Sequence, residues 1–498
     1  MALMAVDHTS VSFGAYSHGT GMVSEGASAV ISQWNGWIPY TLRSATHLCA
    51  GGFAMLMGMG IGYFVASRRK TAVGQARAQA WTAQKQLRHF GLRTIAMLLV
   101  NFFGWQLVVA LSGVWLWVFN IVLIALAVDY LFVGALYVCI VYHVEPTLTS
   151  LATRLVGTSP CGDEDDQPTE VAPSSSIKTA VGASIDVFLL VLAGISLWAG
   201  IWTAPNHGAC LIADKLSKGT HADQSQARAS QQQLLLLGHV VAPQPYDYCK
   251  SAGSAFFGFL FQQVVCFDKG ILSSFPPVGW LPFVLLGVVY GRTLLRLSSP
   301  SKVSALNASL SILFALLFVS TRLLQYGNLS TNCLDTIDQD TGHHQKHTTG
   351  NQYLASFRSF LYIVKYPPSP AFAFATLSAN FLLLYVFNVL SYSGRKVDSL
   401  LRSRNNPLLV FGNNPLFFYG THGWYISLLS KAYLHTNLPG SEPATPPPPT
   451  GWGVKPQIGL GGIFVTILAS VLIVMFFACR AYGDWKKTKG RESVWRFL

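Results

Sequence analysis

Apolar runs, most of them about as long as a bilayer is thick, divide this sequence. An α-helix rises ~1.5 Å per residue, so roughly 20 apolar residues cross the hydrocarbon core. Such runs lie near residues 1–14, 46–66, 94–112, 115–141, 181–203, 278–295, 304–321, 369–391, 413–434 and 457–479. The pattern predicts an all-α fold: one domain, residues 1–498, built as a polytopic transmembrane helical bundle of about ten spans.

The overall composition points to the same environment. Charged residues make up 11% of the chain, against about 25% in soluble domains. Apolar residue types make up 51% of it. The sequence therefore predicts an integral, multi-pass membrane protein whose main partner is the lipid bilayer.

The basic residues predict an orientation. A formal net charge of +13 would suggest nucleic acid as a partner of a soluble protein. Here the charges gather in the connections after the second, sixth, eighth and tenth runs, which alternate crossing places on one side. The positive-inside rule makes that side cytosolic, so both termini are predicted there and no nucleic-acid partner is expected. These connections contain Arg68, Arg69, Lys70, Arg292, Arg296, Arg395, Lys396, Arg480, Lys486 and Lys487.

Two apolar segments are too short for a full crossing. Residues 254–267 favour a re-entrant or interfacial segment rather than a span. The run at 1–14 would form a helix of roughly 21 Å, short of the ~30 Å core. It predicts either a further turn or two of helix before Met1 or a helix inserted only part of the way.

The polar segments read as connections between helices. We expect a disordered acidic cytosolic loop at 145–180, outer loops at 204–275 and 324–368, a Pro-rich outer loop at 436–456 and a basic cytosolic tail at 480–498. Asn328 begins an Asn-Leu-Ser sequon and is predicted to be a glycosylation site. Four cysteines fall in outer loops, where 3 disulfide connectivities remain open; they are Cys210, Cys249, Cys266 and Cys333.

Ionisable side chains at membrane depth are costly and mark functional sites. The candidates are Asp7, His8, His47, Asp129, Asp186 and His422. A histidine beside a carboxylate acts as a general base near neutral pH, which favours Asp7 and His8 as a catalytic pair. The alternative is a hydrogen-bonded pair that only joins helices. No metal site is predicted, because His343, His344 and His347 lack ligand spacing and fit a solvated loop.

Lys365 stands at the mouth of an apolar run and is followed by a rigid turn. Pro367 and Pro368 lack amide protons and keep the chain extended, so the next helix begins only after them. Lys365 is thereby fixed at the membrane boundary. The alternative is an ordinary interfacial lysine that reaches toward water.

Several segments, taken in order, resemble the heparan-α-glucosaminide N-acetyltransferase catalytic-domain family, and bacterial-type members most. They are Ala2–His8, Thr46–Cys49, Phe275–Trp280, Lys365–Ser369, Asn414–His422 and the tail Cys479–Leu498. The resemblance runs the whole length of the chain. It departs at the start, because family members carry an Asp-x-x-Arg-Gly-like lead that would precede Met1.

The resemblance implies a multi-pass acyltransferase. Such an enzyme moves an acyl group, typically acetyl, from cytosolic acyl-CoA to a sugar amine or hydroxyl on the outer or lumenal side. Acyl-CoA is then a cosubstrate, a carbohydrate-like acceptor is the other partner, and no permanently bound cofactor is expected. A lysosome- or vacuole-type endomembrane and the plasma membrane both fit.

On this reading His8 or His47 deprotonates the acceptor, Asp7 orients the imidazole, and His422 completes the site. The residues expected to meet substrate or CoA are Lys365, Arg292, Arg68, Arg69, Arg395 and Lys396. The rival hypothesis is a transporter, or a non-catalytic membrane scaffold, in which Asp129, Asp186 and Lys365 form a relay.

Overall fold

The fold was obtained as a computed structural model. It describes residues 1–15, 36–70, 81–110, 115–156, 174–204, 248–266, 269–297, 299–329, 351–392, 399, 403–441, 456 and 458–490.

Helices dominate the described residues. The first group is α1 (Ala2–Phe13), α2 (Trp37–Lys70), α3 (Ala83–Ala110), α4 (Leu123–Val156), α5 (Ser175–Trp202) and α6 (Ala252–Phe261). The second group is α7 (Pro277–Arg296), α8 (Pro300–Leu323), α9 (Phe357–Leu361), α10 (Pro370–Tyr392), α11 (Pro407–Asn413), α12 (Pro415–Leu434) and α13 (Gly462–Lys487).

Within the described ranges, 8 helices are long and apolar enough to cross a membrane: α2, α3, α4, α5, α7, α8, α10 and α13. Eight of the ten predicted apolar runs correspond to these helices, and the runs at 1–14 and 413–434 do not. The run at 1–14 forms only the 12 residues of α1. The run at 413–434 forms α12, which has 20 residues but is too polar to count. The short run at 254–267 forms the ten-residue α6, which does not cross.

The bundle also contains a small sheet, so the all-α prediction is incomplete. Its strands are β1 (Val118–Asn120), β2 (Val264–Cys266) and β3 (Ile271–Ser273), in the order β1-β3-β2. β1 pairs parallel to β3, and β2 pairs antiparallel to it. The predicted span at 115–141 consequently begins as a strand, and its helix starts only at Leu123.

A disulfide fastens the sheet to the segment before α6. It joins Cys249 to Cys266, whose Cα atoms are 5.7 Å apart. This selects one pairing among the outer-loop cysteines. Cys210 and Cys333 lie outside the described residues.

Helices α2 and α7 cross at the closest contact of the core. A Cβ atom on Gly58 would lie 1.9 Å from the backbone oxygen of Val284, and one on Gly287 would lie 2.1 Å from that of Met55. Only residues without a side chain permit such an approach between membrane helices.

The outward faces of the helices are apolar, as a bilayer requires. On α5, Val187, Phe188, Val191 and Ile195 are exposed, whereas Leu189 on the opposite face is buried. Large aliphatic and aromatic side chains exposed along a whole helix match lipid better than water. This pattern and the 8 long apolar helices fit an integral multi-pass membrane protein.

The two ends of the bundle differ in charge. β3 leads into the start of α7, and α2 runs parallel to α7, since Gly51 faces Phe283 and Gly62 faces Val288. The end of α1 lies beside the start of α13, because the Phe13 carbonyl accepts a hydrogen bond from the Ile458 amide, just before α13. We call the end with the sheet the sheet end. The opposite end, the basic end, carries the closing residues of α2, α7 and α13: Arg68, Arg69, Arg292, Arg296, Lys486 and Lys487.

Parts of the predicted loops are helical. In the predicted acidic loop, residues 145–156 belong to α4 and α5 begins at Ser175, while 157–173 lie outside the described residues. In the predicted tail, 480–487 belong to α13.

Candidate functional site

Helices α1 and α12 bring two of the predicted histidines into direct contact. Nδ1 of His8 lies 2.8 Å from Nε2 of His422, although the residues are 414 positions apart. The planes of the two imidazole rings are 13° from parallel, and the ring centroids are 5.0 Å apart. The sequence prediction that these histidines share one site agrees with this geometry.

The hydrogen bonds of the pair determine where its protons lie. Nδ1 of His422 is 2.7 Å from the carbonyl oxygen of Phe418, and a carbonyl only accepts, so this nitrogen carries the ring proton. In a neutral pair, Nε2 of His422 then accepts from Nδ1–H of His8. The Nε2 atom of His8 is left with its lone pair, which is the form that a general base needs.

His8 is also the most accessible of the three histidines. His422 is 0% exposed and His47 is 5% exposed, whereas His8 is partly exposed. A base must reach the proton that it removes. His8 is therefore the better candidate for the base, and His422 for the residue that fixes its orientation.

An aromatic wall supports the histidine pair. The ring centroid of Trp105 lies 4.8 Å from that of His8 and 5.4 Å from that of His422. Trp105 lies in a π-helical turn of α3, Phe102–Gln106, and its Nε1 donates to the carbonyl of Tyr419 at 3.1 Å. Single π-turns inside α-helices often mark functional sites. Sequence reasoning missed Trp105, because a tryptophan inside an apolar run gives no local signal.

Asp7 contacts a residue that the sequence did not suggest. It forms an ion pair with Arg43 of α2, and both side chains are largely buried, 17% and 13% exposed. Because Nδ1 of His8 is bonded to His422, the carboxylate does not orient the imidazole through that nitrogen. Arg43 was also missed, since the predicted second run begins three residues after it, whereas α2 begins six residues before it.

Lys365 and His47 complete the cluster. Lys365 is 5% exposed, and its Nζ lies 5.0 Å from the ring centroid of Tyr366 and 5.7 Å from that of Phe275. An interfacial lysine that reaches toward water would be far more exposed, so the ordinary explanation for Lys365 does not hold. His47 packs against Phe372 at 5.7 Å. The positive charges of Lys365 and Arg43 lie close enough to His8 and His47 to interact electrostatically with both imidazoles.

A buried arginine fastens the segment that leads to Lys365. Arg322 is 1% exposed and donates to Oδ1 of Asn328 at 2.6 Å and to the carbonyl of Tyr362 at 2.5 Å. Its guanidinium carbon lies 4.5 Å from the ring centroid of Tyr353. Tyr362 precedes Lys365 by three residues. Arg322 thereby holds in place the backbone of the segment that leads to Lys365.

The side chain of Asn328, the predicted glycosylation site, forms hydrogen bonds in the same network. Asn328 is 6% exposed, and its Nδ2 donates to the carbonyls of Thr321 at 2.9 Å and Tyr326 at 3.0 Å. A glycan needs that nitrogen free and at the surface. The fold therefore argues against the predicted glycosylation of Asn328.

Substitution of Asn328 by alanine is expected to lower the free energy of unfolding by about 3 kcal/mol, because the buried Arg322 charge loses an acceptor. The midpoint of thermal unfolding in detergent measures this, and Asn437→Ala, at an exposed position, is the control. Glycosidase treatment of the wild type should release no glycan from Asn328. Equal midpoints for the two variants would contradict the assignment.

Of the basic residues expected to meet CoA, Arg292 and Arg69 form ion pairs within the protein. Arg292 is 7% exposed, and its Nε binds Oδ1 of Asp186 at 2.5 Å, while Arg296 binds the other oxygen at 2.5 Å. Arg292 is thus engaged inside the protein, and its predicted role is corrected. Arg69 pairs with Glu145 at 3.2 Å.

Arg68 lies over an aromatic side chain at the same end of the bundle. The Arg68 guanidinium carbon lies 4.9 Å from the ring centroid of Trp81. Arg395 and Lys396 lie outside the described residues.

The relay of the rival hypothesis is not assembled in the part of the chain that the structure describes. Asp186 is held by two arginines at the basic end, whereas Lys365 lies toward the sheet end. Asp129 is buried in α4, and its Oδ2 has no hydrogen-bond partner among the described residues. Within the described ranges, no hydrogen bond or ion pair joins any two of these three side chains.

Metal ligation finds no support in the described ranges, where no group of three or more His, Cys, Asp or Glu side chains is placed to hold an ion. His343, His344 and His347 lie outside those ranges. No protein-family model and no curated protein matches the chain.

Proposed function

We propose that this protein is a membrane-embedded acyltransferase in which His8 is the general base. The observation that carries the proposal is the His8–His422 pair, whose hydrogen bonds leave Nε2 of the accessible histidine unprotonated. The acyl donor is acyl-CoA, with acetyl as the group transferred, and the acceptor is a sugar amine or hydroxyl. The acyl transfer requires no permanently bound cofactor.

The reaction follows from this arrangement. The acceptor nitrogen or oxygen attacks the thioester carbonyl carbon, and Nε2 of His8 takes the acceptor's proton as the new bond forms. The carbon–sulfur bond then breaks, and the departing thiolate receives a proton from His8. His422 keeps the His8 ring in the tautomer that can accept the first proton. Atoms and charges balance without an oxidant or a metal.

Lys365 has a defined place in this mechanism. Attack on a thioester creates a negative charge on the carbonyl oxygen, and a fixed cation in a water-poor site stabilises that charge. The described contacts of the Lys365 ammonium are the faces of two aromatic rings, which orient it without neutralising it. Arg43, in contrast, is paired with Asp7.

The orientation completes the proposal. The basic end lies in the cytosol under the positive-inside rule, which puts both termini there. The sheet end then faces the outer or lumenal space, where the Cys249–Cys266 disulfide is favoured by an oxidising compartment. Acyl-CoA approaches from the basic end and the acceptor from the sheet end. A lysosome- or vacuole-type endomembrane and the plasma membrane both satisfy this geometry.

The proposal is tested with purified protein in detergent, [14C]acetyl-CoA and glucosamine as the probe acceptor. We expect labelled N-acetylglucosamine and one equivalent of free thiol. Lys365→Met is expected to lower kcat by about 100-fold with a smaller change in KM, because it removes charge stabilisation of the transition state. Lys431→Met, an exposed lysine of α12, should leave both constants unchanged.

Absence of both acetyl-CoA binding and thiol release from the wild type would refute the proposed activity. Proton-coupled solute uptake into proteoliposomes that is lost in Asp129→Asn would instead establish the transporter.

A further inference from the structure

A pocket of about 610 Å³ opens at the basic end, between α11 and α13. Among the residues that the structure describes, its wall contains four cationic side chains and one carboxylate, that of Asp484. The cations are Arg404, Arg480, Lys486 and Lys487. None of these residues was among the predicted ligand-binding residues.

The carboxylate of Asp484 pairs with two of these four cations. Asp484 binds Arg404 at 2.6 Å and Lys487 at 3.1 Å, so one acid is shared by two cations. Arg480 makes no ion pair with any residue that the structure describes. Positive-inside topology explains why cations occur at this end, but it does not explain why they converge on a concave surface despite their mutual repulsion.

A helix break forms the other side of the pocket. α11 ends at Asn413 and α12 starts at Pro415, with Asn414 between them in a non-helical conformation. The positive end of the α12 dipole thus lies beside the same pocket, and broken membrane helices often place such ends at anions. Asn414 donates to the carbonyls of Val410 and Cys479, at 3.2 and 3.1 Å, which keeps the break in place.

The pocket and the histidine pair share one helix. His422 follows Asn414 by eight residues, which corresponds to about 12 Å along the axis of α12. Phe418 lies between them, in ring contact with Phe411 on one side and His422 on the other, both at 5.0 Å.

We propose that this pocket binds phosphate groups of a ligand that approaches from the basic end. Several converging cations and a helix N-terminus suit phosphate better than a single carboxylate. Two sources carry this chemistry: the nucleotide end of coenzyme A and the head group of a phosphoinositide lipid. The first deepens the proposed function and rests on it, whereas phosphate binding itself does not.

The experiment measures binding of two soluble probes to the full chain in detergent by calorimetry. Adenosine 3′,5′-bisphosphate represents the nucleotide, and inositol 1,4,5-trisphosphate represents the lipid head group. Arg480→Gln is expected to weaken binding of the preferred probe by about tenfold, the value of one charge-assisted hydrogen bond. Asp484→Asn is expected to tighten it several-fold, because it removes the competing carboxylate.

The opposite signs separate a ligand effect from misfolding, which would not tighten binding. Lys302→Gln, an exposed lysine at the start of α8, should match the wild type. Binding of one probe with this pattern supports phosphate binding in the pocket. The probe that binds shows whether the phosphates belong to a nucleotide or to a lipid head group. Failure of both probes to bind, or equal affinities in all four proteins, would overturn it. His8→Ala should keep full probe affinity, so loss of the proposed activity leaves this result intact.

Discussion

Replacement of Gly58 by alanine is expected to abolish the folded protein. The new Cβ atom would lie 1.9 Å from the backbone oxygen of Val284, and no rotamer change can relieve a clash with backbone. Helices α2 and α7 would have to separate, at a cost of at least about 3 kcal/mol. The measurement is the yield of monodisperse protein on size-exclusion chromatography, together with its thermal midpoint.

Gly60 supplies the matched control. It lies in the same helix two residues later, and a Cβ atom there would meet nothing within 4 Å. Gly60→Ala should equal the wild type or gain up to about 1 kcal/mol from helix propensity. If Gly58→Ala is as stable as Gly60→Ala, the α2–α7 crossing described here is wrong.

Replacement of His8 by asparagine is expected to lower kcat of acyl transfer by about 10²- to 10⁴-fold, the usual contribution of a general base. The asparagine amide nitrogen occupies the position of Nδ1 and can still donate to His422, so the pair's hydrogen bond survives. The amide cannot take a proton near neutral pH. The steady-state rate of thiol release in the presence of an acceptor measures the effect.

Substitutions of two other histidines serve as comparisons for this result. His422→Gln is expected to cost only about 10- to 100-fold, because His422 positions His8 rather than touching the substrate. His435→Gln changes an exposed residue just beyond α12 and should have no effect. A His422 variant more impaired than the His8 variant would reverse the two roles.

Much of the fold follows from hydropathy alone, because lipid forces backbone hydrogen bonds to be satisfied within each helix. The exceptions have physical reasons. β1 lies at the start of an apolar run, and its backbone is paired with a strand far away in sequence, so only tertiary contact reveals it. The break at Asn414 and Pro415 was visible as a proline, but the run at 413–434 did not show that a second helix, α11, precedes it.

The candidate site was predictable where a costly residue stood inside an apolar run. His8, His47 and His422 were found in this way, and Lys365 was found by its place at the mouth of such a run, before a proline turn. Partners were harder to predict, because Arg43 of α2 lay outside the expected run. Arg292 was misassigned, since a basic residue at a helix end gives no sign of the aspartate on a neighbouring helix that neutralises it.

The most direct test of the role of His8 is chemical rescue of His8→Ala by imidazole. The variant leaves space where the ring stood, and a diffusible imidazole can supply the missing base. We predict that thiol release in the presence of acceptor is nearly absent in His8→Ala and rises in proportion to added imidazole, while wild type and His435→Ala do not respond. Wild-type rates in His8→Ala without imidazole would contradict the account.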